Sequence, residues 1–505
     1  MIPLTKEIDR ENSQPFDFHC WSNESRANAL VDKIWLQYFE HKFPQTGRGN
    51  RPKTPLKTQF KVVLLNLYNA WLRDPEMSIG VAKSKTAYGL NERYNPRHIS
   101  SAIIKLINHL EETGFIDKRT GSEVSQTRTR IRANTKLTGL FKEYRLSFFD
   151  LTQEYGIEET IILSKRETEK DTKTKKSLRI NYVDTDFEPI VRMRDSVREY
   201  NALLWRTFID IPTLDKPFVP QPYWCKKDNK YKERKVWLTQ NNKFVKRIFY
   251  RADWNLGGRF HGGWWQSIKE DWRKQIYINN ESTIEQDYSG LHINLLYGLE
   301  QIQPPSGDHY EVDPILSNVT PEQQRKAVKG LALMAINAES TFKAFSAFRE
   351  SQDYDSPFKN LTHKKLQMLL DAFKEKHPMI AGKLCSDVGV KLMNIDGRIT
   401  AKVINHFTKK NVPILTIHDS YITPQNYSGE LNKVMNESVA EELNGMIIKI
   451  DQEGIGTDQI QAFKNMDRSN SLDYKYDNVP SYKLSSGYKE RLKRHTEWLN
   501  TLNIN

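Results

Sequence analysis

The sequence predicts an α+β fold, and three observations carry this prediction. Apolar residues recur at helical spacing from Thr58 to Trp71 and again from Pro96 to Thr113. In the segment Ile414 to Thr423, two apolar runs flank His-Asp-Ser, which is typical of a β-hairpin. The segment Ser282 to Tyr297 passes from an extended stretch that ends at Asp287 into an apolar helical pattern.

Composition narrows the class of protein. The 505 residues are enough for about three domains, at roughly 150 residues per domain. The 76 Lys and Arg outnumber the 63 Asp and Glu, and the net charge of +13 favours a polyanionic partner such as nucleic acid, with an ordinary basic protein as the alternative. Cys20, Cys225 and Cys385 fit neither a disulfide framework nor a zinc site, which favours a reducing cytoplasm. We expect no membrane partner, because no apolar run approaches the roughly 18 residues of a membrane span and the N-terminus lacks a signal-peptide pattern.

The N-terminal part predicts a DNA-binding domain at residues 53–150, preceded by a polar extension at residues 1–52. The extension passes into a basic Gly/Pro stretch, Thr46 to Pro55, interpreted as a linker. After the two helical segments, Phe115 to Gly121 and Gln126 to Arg132 indicate two strands around a polar turn.

Two helices followed by a basic hairpin resemble a winged helix-turn-helix, with a recognition helix at about Arg97 to Glu112. The candidate DNA contacts are Arg97, Lys105, Arg128 and Arg130. The alternative is a small helical domain with a solvated charged hairpin.

The remaining chain predicts a linker, a core and a tail. Residues 151–184 are interpreted as a charged linker, because the run Ser164 to Lys176 has no apolar residue. The core is expected at residues 185–456, and within it the segment 205–456 contains every constellation with chemical content. Residues 457–505 are interpreted as a polar tail that ends in a helix at Tyr488 to Leu499. A charged amphipathic helix is expected from Ile190 to Leu204, and the triplet Asp186-Phe187-Glu188 is interpreted as a helix start rather than a nuclease motif.

The chemistry is predicted from two aspartates and two cations. Asp287 and Asp419 are far apart in sequence, and a phosphoryl-transfer site with two metal ions needs two such carboxylates brought together. Between them, Thr320 and Pro321 predict a helix start, and Arg325 and Lys329 then project from one helix face, one turn apart. Such a face can hold a triphosphate.

A glycine-rich segment, Gly257 to Ile268, precedes these motifs. Its glycines permit close backbone approach, and Arg259, Gln266 and its tryptophans can contact sugar-phosphate and bases. In this order, the four segments resemble family A nucleic acid polymerases and the related single-subunit phage-type RNA polymerases. The Gly-Arg-x(6)-Gln-x-Ile from Gly258 is similar to the primer-template motif, and Asp287-Tyr-Ser, Arg325-x-x-x-Lys329 and His418-Asp419 are similar to motifs A, B and C.

The resemblance covers about residues 185–455 and implies a compact right-hand core of palm, fingers and thumb with an antiparallel palm sheet. It implies that Asp287 and Asp419 ligate two Mg²⁺ ions, for which Mn²⁺ can substitute, and that Lys329 donates a proton to pyrophosphate. It further implies nucleotide contacts from Arg325, Lys329, His292, Leu333 and Tyr288. The implied nucleic-acid contacts are Arg259, Gln266 and His418.

Several positions depart from that family. His292 replaces the glutamate that helps the DNA-synthesising members exclude a ribose 2′-hydroxyl, and Leu333, Asn337 and Ala338 replace the aromatic and the Tyr-Gly of the fingers helix. Ser420 replaces an acidic residue of the DNA polymerases, although phage-type RNA polymerases also have serine there.

The function expected from these features is template-directed nucleotidyl transfer. A DNA polymerase of a plasmid, phage or integrated mobile element, with primase activity as an added option, fits best. The expected partners are a primer-template or single-stranded template, nucleoside triphosphates and a replication accessory protein. The alternatives are a DNA-dependent RNA polymerase or primase, and a catalytically silent DNA-binding initiator or regulator that keeps the fold as a scaffold.

Overall fold

The computed structural model describes residues 8–9, 12–43, 54–88, 92–122, 127–151, 157–168, 175–185, 187–225, 230–353, 355–453 and 483–502. The strands in this part of the chain are β1 (Ser13–Pro15), β2 (Ser78–Val81), β3 (Ile116–Arg119), β4 (Thr129–Ala133), β5 (Ile161–Thr168), β6 (Lys175–Arg179), β7 (Ile209–Asp210), β8 (Phe218–Cys225), β9 (Lys230–Trp237), β10 (Val245–Phe249), β11 (Gly257–Gly262), β12 (Tyr277–Ile278), β13 (Glu281–Tyr288), β14 (Leu415–Ile417), β15 (Ser420–Pro424) and β16 (Ile450–Glu453).

The α-helices in the same ranges are α1 (Ser25–Ile34), α2 (Leu56–Arg73), α3 (Ala102–Glu112), α4 (Thr135–Tyr144), α5 (Ile190–Arg206), α6 (Glu270–Arg273), α7 (Leu291–Leu299), α8 (Pro321–Asn337), α9 (Thr341–Ser351), α10 (His363–Lys376), α11 (Gly389–Lys409), α12 (Ser428–Glu442) and α13 (Ser486–Thr501). Helices and mainly antiparallel strands together give an α+β fold, as predicted. None of the helices in the described residues is both long and apolar enough to cross a membrane.

The chain divides into two compact units. The first unit comprises Met1–Thr160, Leu214–Phe244 and Ser486–Asn505, and the second comprises Ile161–Thr213 and Val245–Ser485. The segment Leu214–Phe244, which lies within the predicted core, therefore belongs to the same unit as the N-terminal residues. Sequence periodicity does not reveal such a grouping, because it depends on contacts between distant segments.

The first unit contains the two predicted helices and the predicted basic hairpin. Helix α2 has a continuous buried stretch, and α3 buries its apolar face in the same hydrophobic core. Strands β3 and β4 pair in antiparallel register within a sheet of order β1-β2-β4-β3. Helix α3 begins at Ala102, later than the predicted Arg97. The Asn95 side chain accepts a hydrogen bond from the N–H of Ile99 and donates one to its carbonyl, and these two bonds hold a turn before the helix.

The second unit is built on a sheet of order β14-β15-β13-β12-β7, in which β16 also pairs with β13. All of the pairings in this sheet are antiparallel. The predicted hairpin at Ile414 to Thr423 is present, and Ile417 pairs directly with Ser420, so the loop consists of His418 and Asp419 alone. His418 takes a left-handed conformation with φ of 58°, which a two-residue hairpin loop requires of at least one residue.

The interpretation of Ser164 to Lys176 as an exposed loop or linker is wrong for its described residues. Ser164 to Thr168 lie on β5, Lys175 and Lys176 lie on β6, and these strands pair with each other in a sheet of order β11-β10-β5-β6. The apolar start of β5 is buried and pairs in parallel with β10, so tertiary pairing outweighs the polar composition of the run. Residues 169–174 lie outside the described residues.

Two helix predictions outside the sheets are confirmed with small shifts at the ends. Helix α5 continues to Arg206, past the predicted Leu204, and α13 exceeds the predicted range Tyr488 to Leu499 by two residues at each end. In the triplet interpreted as a helix start, Phe187 and Glu188 directly precede the N-cap of α5, and Asp186 lies outside the described residues.

Close packing between α11 and β11 fixes the segment that carries Arg259. A Cβ atom added to Gly397 of α11 would lie 2.3 Å from the carbonyl oxygen of Gly258, which is a backbone atom that cannot rotate away. Arg247 connects the same elements, because its guanidinium donates to the carbonyls of Gly258 at 2.9 Å and Gly397 at 3.3 Å. Glycine at position 397 is therefore required for this contact.

We expect Gly397→Ala to lower the thermal unfolding temperature of the second unit, because overpacking of a filled contact costs about 1–3 kcal/mol. Gly382→Ala is the matched control, since a Cβ there would meet no atom of the described residues within 4 Å. Scanning calorimetry of both variants tests the expectation. Equal unfolding temperatures for the two variants would contradict it.

Candidate active site

Strand register brings Asp287 and Asp419 together. Asp287 on β13 pairs directly with Ser420 on β15, and Asp419 immediately precedes Ser420 in the hairpin loop. The backbone N–H of Tyr288 also donates to the carbonyl of Asp419 at 3.3 Å. The two carboxylates predicted from distant parts of the sequence therefore lie at the same end of neighbouring strands.

The charge environment of Asp287 is strongly acidic. Solvent reaches this side chain, but desolvation by the surrounding protein, followed by repulsion from Asp419 and Glu285, raises its pKa to about 8. Lys329 acts in the opposite direction on that pKa, which shows that the helix cation lies within electrostatic reach. Two carboxylates that disfavour each other's charge are a favourable place for a cation.

Asp451 is a further acidic residue beside Asp287 that sequence analysis missed. It lies on β16 directly opposite Asp287, and repulsion from it contributes to the raised pKa of Asp287. Its own carboxylate forms an ion pair with Lys449 at 2.7 Å, and this contact lowers its pKa. A short alternation of apolar and polar residues around Ile450 could have indicated the strand. No sequence motif indicates that Asp451 lies opposite Asp287.

The donor set at Asp287 and Asp419 fits magnesium better than a metal held wholly by protein. Within the described ranges, no group of three or more His, Cys, Asp or Glu side chains is arranged to hold a metal ion. Mg²⁺ commonly uses only one or two protein carboxylates and takes its other ligands from water and substrate phosphates. Two adjacent aspartates that face solvent meet that requirement.

Helix α8 presents the two predicted cations. Thr320 forms a capping box with Gln323, and Pro321 occupies the first turn, so the helix begins where the sequence predicts. Arg325, Lys329 and Leu333 follow at four-residue intervals and share one face. Leu333 is 43% exposed, which leaves an apolar surface next to the cations.

Arg325 is already engaged by a carboxylate. Its Nε donates to Asp308 at 2.9 Å, and its Nη2 donates to the same oxygen. Asp308 lies in the segment between α7 and α8, which carried no prediction. An anion that binds Arg325 must therefore compete with Asp308.

Tyr310 lies beside the cations of α8, and the charges of the sheet aspartates act on it. Its ring centre is 5.9 Å from the Arg325 guanidinium and 5.8 Å from Lys329 Nζ. Burial and the charges of Asp419 and Asp308 raise its pKa to about 12, so the phenol keeps its proton at neutral pH. No sequence signal identified this residue, because nothing around it is periodic or forms a motif.

A buried ion pair holds Arg259 next to His292. Arg259 pairs with Asp396 of α11, whose side chain is fully buried, and its Nη2 lies 2.7 Å from Nε2 of His292. The charge of a buried carboxylate needs such a partner. Arg259 is therefore fixed in place, and the Nε2 of His292 faces it.

The charge of this arginine acts on three imidazoles, which favour their neutral forms. Burial, with the nearby positive charge of Arg259, lowers the pKa of His292 to about 3 and of His261 to about 4, and it also lowers the pKa of His418. The rings of His261 and His418 lie 5.8 Å apart. A neutral His418 beside Asp419 can accept or donate a hydrogen bond without adding charge to the acidic site.

No protein-family model matches the chain, and no curated protein is significantly similar to it. The fold and the geometry of the site therefore carry the functional argument.

Not every predicted contact residue faces the aspartates. Tyr288 is buried, and its hydroxyl donates to the carbonyl of Met435 at 2.6 Å, because successive strand residues point to opposite faces and Asp287 takes the solvent face. Gln266 donates to the carbonyl of Thr416 at 2.8 Å and accepts from the backbone of Gly262 at 3.0 Å. The structure thus gives Tyr288 a packing contact and Gln266 contacts with the backbone.

The two tryptophans expected to contact bases are buried. Trp264 and Trp265 are 3% and 0% exposed, and Trp265 Nε1 donates to the same Thr416 carbonyl that Gln266 uses. Their apolar rings support the glycine-rich segment from within the second unit. The sequence indicated aromatic residues near Arg259, but it did not indicate whether their side chains point into the core or toward solvent.

The predicted DNA contacts of the first unit separate into two groups. Lys105 on α3 and Arg128 before β4 are exposed. Arg97 lies before α3 with its guanidinium 3.9 Å from the centre of the Trp21 ring, and Arg130 donates to the carbonyl of Arg128 at 3.0 Å. Lys105 and Arg128 are therefore the more accessible candidates.

Proposed function

We propose that the chain is a template-directed nucleotidyltransferase, most directly a DNA polymerase, in which Asp287 and Asp419 hold two Mg²⁺ ions. The observation that carries the proposal is the pairing of β13 with β15, which sets these aspartates side by side within reach of Lys329. A right-hand core would place its palm on the sheet around β13 and its fingers on α8. When bound, the metal ions would activate the primer hydroxyl and stabilise the leaving pyrophosphate.

The side chains of the site support this chemistry in separate ways. Arg325 and Lys329 would bind the triphosphate, and Lys329, whose charge acts on Asp287, would protonate pyrophosphate. His418, at the loop beside Asp419, would contact the primer terminus. Leu333 offers an exposed apolar surface on the same helix face, suited to the base or sugar of a nucleotide.

An RNA polymerase or primase is the second candidate, and the position of His292 favours it. This side chain is buried and faces Arg259, so it does not supply the carboxylate that would discriminate against a ribose hydroxyl. The sugar preference therefore belongs in the first experiment.

We expect the protein to extend a labelled primer-template in Mg²⁺, with dNTPs compared with NTPs and an unprimed single strand included. Asp287→Asn and Asp419→Asn should each reduce extension by more than about a hundredfold, because loss of a metal ligand exceeds the 10–100-fold effect typical of its supporting residues. Glu322→Gln is the control, since Glu322 forms an exposed ion pair with Lys326 on the same helix as Arg325. Extension that survives in both aspartate variants would refute the metal assignment, and no synthesis by the wild type would favour the DNA-binding scaffold.

We expect Asp308→Asn to tighten the binding of dATP by about two- to fivefold, because the partly exposed ion pair it removes from Arg325 contributes up to about 1 kcal/mol. Titration calorimetry with Ca²⁺ in place of Mg²⁺ measures this affinity without turnover. Glu322→Gln should leave the affinity unchanged. Unchanged or weaker binding by Asp308→Asn would contradict competition between Asp308 and the triphosphate.

We further propose that the first unit binds duplex DNA as a winged helix. Helices α2 and α3, followed by the β3–β4 hairpin, have the required order, with Lys105 on the second helix and Arg128 on the hairpin exposed. The alternative is a helical domain whose charged hairpin is only solvated.

Replacing Lys105 and Arg128 by serine in the full chain should weaken binding to a 20-base-pair duplex. The slope of log K against log salt should fall by about 1.8, at roughly 0.9 per phosphate contact. Lys489→Ser with Lys493→Ser, both exposed on α13, is the matched loss of charge. An equal change in this control would show that only net charge matters and would remove the winged-helix assignment.

A further inference from the structure

The first unit contains a two-stranded antiparallel ribbon, formed by β8 and β9. In the described part of the chain these strands pair only with each other, in register from Phe218 with Trp237 to Cys225 with Lys230. The foot of the ribbon is fixed in the hydrophobic core of the unit, because Trp237 belongs to this core and Phe218 packs against it. Lys235 adds an ion pair with Asp74 at 3.2 Å.

The outer part of the ribbon is open and basic. Most residues of β9 are exposed, whereas β8 is more covered, so solvent reaches the ribbon mainly along β9. Strand β9 carries four cations and one carboxylate, and β8 carries no charge. Lys230, Lys232 and Arg234 alternate along β9 and therefore share one face.

The opposite face of the ribbon ends in an aromatic pair. Trp224 and Tyr231 are cross-strand partners, their ring centres are 5.0 Å apart, and the rings meet edge to face. Tyr231 is 60% exposed, which makes it one of the most exposed large apolar side chains in the described residues. The edge-to-face contact stabilises the ribbon, but it leaves more than half of the Tyr231 side chain open to solvent.

We propose that the outer part of this ribbon, Tyr223–Cys225 with Lys230–Arg234, binds single-stranded nucleic acid. A single-stranded nucleic acid that runs along the outer edge of β9 meets the aromatic pair on one face of the ribbon and the cations on the other face. Bases stack on the Tyr231 side, and phosphates are neutralised by Lys230, Lys232 and Arg234. Stacking needs an open base face, which a paired duplex does not offer, and this favours a single strand. The proposal is independent of the polymerase assignment, because none of these residues belongs to the second unit.

The test measures fluorescence anisotropy of a labelled dT20 strand and of a 20-base-pair duplex with the full-length protein. Tyr231→Ser should weaken dT20 binding by about 5- to 150-fold, the range of one stacking contact, and Tyr231→Phe should retain wild-type affinity within about twofold because the ring remains. Lys230→Ser with Arg234→Ser should reduce the single-strand salt slope by about 1.4, at roughly 0.7 per phosphate.

Lys489→Ser with Arg494→Ser, both exposed on α13, is the matched charge control, and thermal unfolding of each variant verifies its fold. Selective loss of dT20 affinity in the ribbon variants, with duplex binding and the control unchanged, supports the proposal. Retained dT20 affinity in Tyr231→Ser, equal loss on the duplex, or equal loss in the control overturns it.

Discussion

The pairing of β13 with β15 is the constraint on which the site depends. Backbone hydrogen bonds fix Asp287 opposite Ser420, and a shift of one residue would turn Asp287 into the core and Tyr288 out to solvent. The two-residue loop then leaves Asp419 at the end of the hairpin, beside that carboxylate. Burial of Tyr288 and its hydrogen bond to Met435 resist such a shift, so a packing residue protects the position of an acidic one.

Charge balance explains the other contacts around the site. Desolvation and Asp419 raise the pKa of Asp287, while Asp308 occupies Arg325. Both conditions are relieved by one kind of ligand, a polyanion that arrives with divalent cations. The cations neutralise the aspartates, and the anion replaces Asp308 at the arginine. An acidic pair that favours a cation, next to an arginine whose carboxylate partner an anion can replace, is the strongest physical argument for the proposed nucleotidyl transfer.

Much of the local structure was predictable from the sequence, and most of the tertiary environment was not. Helical periodicity, the Thr320-Pro321 start and the hairpin signal around His418 depend on neighbours along the chain, and these elements are present. The strand pairing of the Ser164 run and the positions of Asp451 and Tyr310 depend on residues far away in sequence. Composition does not indicate that the Ser164 run forms strands, because a polar strand and a polar loop can have the same composition. The function itself stays a prediction from the motifs and their geometry.

The site also limits where sugar selection can arise in the proposed polymerase. His292 follows Asp287 at the start of α7, but Arg259, held by buried Asp396, faces its Nε2, and burial keeps the ring neutral. To reach a nucleotide, His292 would have to leave this arginine and expose the buried pair, which is costly. Tyr310 stacks on Phe373 beside the two helix cations, the charges of both aspartates act on it, and its hydroxyl stays neutral. In the proposed polymerase, sugar discrimination would therefore have to come from a residue other than His292, because this imidazole is held against Arg259.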